Sequence, residues 1–228
     1  MEVYLTNINN RRVAQIALPM MLSNITVPLL GFFDTAVIGQ LGEPELIAAL
    51  GLGSILISTL YWLCGFLRMG TTGLTAQAKG EDNPREVVQI LIRGILIGVI
   101  LGILILLISL LIFRIFFLVS PAEPSVEAHA LTYVEIRVFS APIAIANITL
   151  IGWLIAMERA LRVFFIQFFV NILNLSLSML LVLTWDYGIE GVAYATLISE
   201  VCGFFLSLIL CRNVIDYRSN FTVNGIFN

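Results

Sequence analysis

Charge is what this chain has least of. Only 12% of its 228 residues are Asp, Glu, Lys or Arg, while 59% are hydrophobic, and the mean hydropathy is +1.00. A water-soluble domain carries roughly a quarter of its residues as charges, so lipid rather than water is expected to cover most of the surface. The formal net charge of −3 supplies no basic face for nucleic acid. Three cysteines, Cys64, Cys202 and Cys211, all lie in apolar runs, which excludes a disulfide framework, and no Cys-x-x-Cys suggests a metal. The single histidine, His129, leaves little material for imidazole-based metal or relay chemistry. No His-Glu-x-x-His and no Gly-x-Ser-x-Gly occurs. An intramembrane enzyme is therefore not expected, and no cofactor is implied.

What remains is long apolar runs. A membrane-spanning helix needs about 20 such residues. Charge-free runs cover Val13–Phe33, Leu46–Leu67, Gly94–Phe113, Val138–Met157 and Val163–Trp185, and Gly191–Cys211 is interrupted only by Glu200. Six transmembrane helices are expected, at approximately 13–38, 46–78, 86–118, 126–157, 160–185 and 190–212. Residues 1–12 then form a cytoplasmic N-terminus, and 213–228 a polar cytoplasmic tail. The first run is too long for a signal-peptide core and reads as uncleaved.

Basic residues flank one set of ends. They are Arg11 and Arg12, Lys79 and Arg85, Arg159 and Arg162, and Arg212 and Arg218. The loops at 39–45, 119–130 and 186–190 contain no Lys or Arg. Positive-inside bias places both termini in the cytoplasm of a cell (inner) membrane.

Ionisable and amide groups inside such spans are costly, and each needs a reason. Asp34 falls about 6–8 Å below the outer end of the first helix. The fifth helix carries Gln167, Asn171, Asn174 and Ser178 at steps of four, three and four, which puts them on one face. That stripe suits either a polar cavity or interhelical hydrogen bonds. The sixth carries Thr196 and Glu200 one turn apart, about 9 and 15 Å down. Tyr133 on the fourth falls at a similar level. Oxygen-bearing groups from several helices thus converge on one layer around a lone carboxylate, an arrangement suited to a proton or a small hard cation. Glu200 is open to two readings, a functional acid or a neutral carboxyl bonded between helices. Arg68, Glu135 and Arg137 read as structural. Pro19 and Pro28 are expected to kink the first helix, with Pro19 a candidate hinge.

In order and spacing these residues resemble the multidrug and toxic compound extrusion (MATE) family, in its DinF-like branch. The resemblance rests on Leu18-Pro19, the run Asp34-Thr35-Ala36-Val37-Ile38-Gly39-Gln40-Leu41-Gly42, Gly65 through Gly73, Ala141-Pro142, Gly152-Trp153, Asn171 and Asn174, and Gly191-Val192-Ala193 with Ala195-Thr196. It covers the family's N-terminal six-helix lobe. The resemblance implies two six-helix lobes across a cleft, and export of lipophilic cationic small molecules by antiport of H⁺ or Na⁺. It also implies a cation or proton site at Asp34, Asn174, Ser178 and Thr196. Ser178 stands where many relatives have a second acid, which favours H⁺, with Glu200 a candidate for the missing acidity. A facing lobe, or a second copy of the chain, is expected as partner. A lipid-linked precursor flippase of the same superfamily, or a truncated membrane fragment that does not transport, are the alternatives.

Overall fold

A computed structural model describes the backbone of residues 10–218; the side chains of 10–17, 19–20, 23–24, 26–27 and 216–218 are outside the described set. The architecture is an all-α membrane bundle. Its helices are α1 (Asn10–Gly39), α2 (Pro44–Leu63), α3 (Phe66–Gly80), α4 (Pro84–Val119), α5 (Pro124–Arg137), α6 (Ala141–Ala156), α7 (Ala160–Ser178) and α8 (Gly188–Arg218). Among the described residues, five stretches are long and apolar enough to cross a membrane, and a sixth apolar helix, Pro28–Gly39, forms the end of α1. Pairs of helices make single spans: α2 with α3 over Pro44–Gly80, and α5 with α6 over Pro124–Ala156.

Local sequence explains the ends. Proline occupies the first turn of α2, α4, α5 and α6, where its missing N–H costs nothing. Asn83 caps α4 by accepting from the Glu86 amide at 3.2 Å. The break between α2 and α3 is tight. The Gly65 amide donates to the Trp62 carbonyl at 2.9 Å, and a Cβ at Gly65 would lie 2.9 Å from that oxygen. Three residues of 3₁₀ helix, Val138–Ser140, join α5 to α6. Beyond Ser178 the α7 span continues as a π-helical turn, Met179–Thr184. Such wide turns are rare and concentrate at functional sites.

One feature departs from the sequence reading. The tail expected from 213 is helical as far as Arg218, with Val214 buried and extending the apolar face of α8; the remainder of that tail lies outside the described residues. The helix α1 includes both Pro19 and Pro28. The side chain of the candidate hinge Pro19 lies outside the described set, and Pro28 is exposed.

Packing follows size. The glycines Gly94, Gly98 and Gly102 lie on one face of α4 and let it approach α6; a Cβ at Gly98 would stand 2.8 Å from the Ala146 Cα. Close helix approach through small residues is how membrane bundles gain van der Waals contact without a hydrophobic drive. Polar groups at these seams bond across them. Thr149 donates to the Gly94 carbonyl at 3.2 Å, Trp153 to Val87 at 2.9 Å, and Thr72 to Gly152 at 3.0 Å. The polar stripe of α7 faces α1 and α8, and this packing positions the site.

Candidate cation-binding site

Asp34 is buried, with 4% of its surface exposed. Its Oδ1 accepts a hydrogen bond from the Ser178 hydroxyl at 3.2 Å, across the α1–α7 seam. Asn174, one turn before Ser178, lies beside the same carboxylate and is fully buried. Its Nδ2 donates to the Thr196 Oγ1 of α8 at 2.9 Å. The Thr196 hydroxyl proton is already committed to the Val192 carbonyl at 2.9 Å, so Thr196 can only accept from Asn174. That orientation turns Asn174 Oδ1 the other way, and this oxygen is buried with no hydrogen-bond partner among the described residues. Three helices thus bring together one carboxylate, two hydroxyls and one amide oxygen that lacks a donor. An uncommitted buried acceptor is costly, and a proton on Asp34 or a small cation would satisfy it.

The other sequence candidates lie on α7 and α5. Asn171 is buried one turn before Asn174, and Gln167 is half-buried a further turn away. Tyr133 is buried, and its ring fills the space beside Gly53.

Glu200 has a counter-charge of its own. Arg137 of α5 grips it with two hydrogen bonds, Nη1 to Oε2 at 2.8 Å and Nη2 to Oε1 at 3.0 Å. The Arg137 side chain is 7% exposed and that of Glu200 22%. Arg137 also donates to Ser140 at 3.1 Å, and Tyr61 of α2 bonds Ser140 at 3.0 Å. The pair therefore ties α2, α5 and α8 together.

Reading Arg137 as structural names no partner for it, and a depth count finds one. Arg137 is thirteen residues into α5 and Glu200 twelve into α8, about 20 and 18 Å along helices that run the same way. They are an acid and a base at one level.

The MatE family model matches residues 19–180. The chain belongs to the MatE family. Its members are transporters rather than enzymes. The chain is 37% identical to the DNA damage-inducible protein F of Escherichia coli (strain K12), over 92% of this chain and 46% of that relative. Solved structures share the fold. A MOP superfamily transporter from Pyrococcus furiosus superposes with a TM-score of 0.83 at 23% identity, over 95% of this chain and 48% of that one. A MATE protein in the straight conformation gives 0.81 at 24%, over 93% and 47%. The chain spans about half the length of the relatives it matches. In this MatE lobe, the cluster around Asp34 is where the chain's buried acid meets neutral oxygen ligands.

Proposed function

We propose that this MatE chain is the N-terminal lobe of an antiporter that exports lipophilic cationic small molecules in exchange for H⁺ bound at Asp34. The observation that carries the reading is a carboxylate buried among neutral partners from two other helices, Ser178, Asn174 and Thr196, with one amide oxygen left unpaired. Arg137 already holds Glu200 in a bidentate pair, so Asp34 is the acid left to accept a cation. A single carboxylate with a hydroxyl in place of a second acid supports H⁺ over Na⁺, which gains more from each added negative ligand.

Protonation from the outer side removes the charge on Asp34 and weakens the hold on a cationic compound nearby. The compound leaves outward, and the lobes rock inward and release the proton. Coupling requires only that compound and proton favour different states. A proton returning through about 100 mV supplies roughly 2.3 kcal/mol. The substrate path needs a second wall, provided by a facing lobe or a second copy, because transporters built from parallel repeats place their sites between halves. Both termini lie in the cytoplasm in this proposal, as the distribution of basic residues implies. The flippase alternative relies on basic residues facing the cavity; of its two candidates, Arg68 and Arg137, the second is engaged by Glu200.

The test is dye efflux from proteoliposomes holding this chain with its facing lobe, driven by an imposed pH gradient. Asp34→Asn is expected to reduce efflux to the level of protein-free vesicles. Wild-type efflux from that variant refutes the assignment.

A further inference from the structure

Near its C-terminal end, α4 parts from α5 and leaves a groove of about 490 Å³ between them. Its floor is apolar, built from Leu110, Phe113 and Phe117 of α4 and Leu131 of α5. Three charges rim it: Arg114, Glu127 and Glu135. In a chain with so few charges, three around one apolar groove need an explanation.

Depth supplies part of it. Between Arg93 and Arg114 lie twenty residues without a charge, Gly94–Phe113. Twenty helical residues span about 30 Å, the thickness of the hydrocarbon core. The two arginines therefore bracket the bilayer, and Arg114 stands at the level of lipid phosphates. They are not equivalent. Arg93 is satisfied by its own helix, donating to Glu86 at 3.2 Å and to Gln89 at 3.0 Å. Arg114 is exposed, and no hydrogen bond or ion pair to another described residue is found for it. A guanidinium at phosphate depth beside an apolar groove has the geometry to take a phosphate in two parallel hydrogen bonds.

The carboxylates give the rest. Glu127 is three residues into α5 and Arg114 five residues from the end of α4, about 5 and 8 Å from the loop that joins these helices. Glu135 is eleven residues in, about 16 Å. From the water inward the groove thus presents a carboxylate, a guanidinium and an apolar trough. A zwitterionic aminophospholipid presents an ammonium, a phosphate and acyl chains in the same order.

We propose that the α4–α5 groove binds the headgroup of a phosphatidylethanolamine-type lipid, with phosphate on Arg114 and the primary ammonium on Glu127. The upper acyl chain lies along Phe113, Leu110 and Leu131. Glu135 sits below the phosphate, at glycerol depth, and does not contact the ammonium. The match is to a zwitterion. An anionic headgroup without an amine leaves Glu127 facing like charge, and a quaternary amine cannot donate a hydrogen bond to it.

Native mass spectrometry of the detergent-purified chain with dioleoyl-phosphatidylethanolamine, -phosphatidylglycerol or -phosphatidylcholine tests this. Phosphatidylethanolamine adducts are expected to survive the highest collision energy. Arg114→Gln is expected to weaken their retention by about tenfold or more, the loss of a charge-assisted hydrogen bond. Glu127→Gln is expected to erase the preference over phosphatidylcholine, while Glu135→Gln and Arg93→Gln retain it. Equal retention of the three lipids, a preference for phosphatidylglycerol, or equal losses in Arg93→Gln and Arg114→Gln would each overturn the proposal. Arg114 is exposed, so unchanged melting of Arg114→Gln separates lost lipid binding from lost fold.

Discussion

Two acids within this bundle, Asp34 buried and Glu200 half-buried, have opposite surroundings. Asp34 meets a hydroxyl and an amide, and Glu200 meets a full guanidinium held in two hydrogen bonds. The first environment stabilises a carboxylate only in part and leaves an acceptor, Asn174 Oδ1, without a donor. The second closes the charge on itself. In the proposed mechanism the first exchanges a cation, while the second holds helices together. The partner of each carboxylate, and not its depth alone, sets that difference.

The comparison can be broken at four points. The largest effect is expected from exchanging the acids for amides. Asp34→Asn should abolish proton uptake when a cationic dye is released, followed with a pH indicator inside vesicles. Glu200→Gln should leave that coupled uptake measurable even where it lowers stability. Coupling lost in Glu200→Gln and kept in Asp34→Asn would invert the roles.

Next comes the pair itself. Arg137→Met strands Glu200 in the bundle and should cost about 3–5 kcal/mol in thermal or denaturant melting. Arg137→Met with Glu200→Leu should recover most of that loss, since an apolar pair of similar volume does not need the counter-charge. Failure of the double variant to recover would mean that the ion pair does more than bridge α5 and α8.

A smaller effect sharpens the ion choice. Ser178→Asp places a second acid beside Asp34, and Na⁺ at a hundred times its dissociation constant should then stabilise the chain by about 2.7 kcal/mol. The unmodified chain should show no such Na⁺ response in melting. The smallest effect is local. Thr196→Val removes the acceptor for Asn174 Nδ2 and should cost about 1 kcal/mol, with a change in the pH dependence of dye release that a merely structural loss would not produce.

Much of this was legible in the residues. Long charge-free runs separated by Gly-Glu-Pro, Asp-Asn-Pro and Asp-Tyr-Gly turns mark the membrane helices, because lipid admits only segments that satisfy their own backbone. The four-three-four spacing from Gln167 to Ser178 marks one face of α7. Less legible were the interruptions. The break at Gly65 and the π turn after Ser178 depend on where neighbouring helices press, and neither carries a proline to announce it. Glu200 was ambiguous for a related reason, since a helix wheel gives the direction of a side chain but not what stands opposite.

Sequence by itself determined that this chain lives in a bilayer, how its apolar stretches are divided, and how deep each polar group lies along its own helix. Those follow from hydrocarbon thickness and a rise of about 1.5 Å per residue. Tertiary structure decided the partners: Asp34 with Ser178 across α1 and α7, Asn174 with Thr196 across α7 and α8, and Arg137 with Glu200 across α5 and α8. Depth is a property of one helix, whereas partnership depends on the rotation and packing of two.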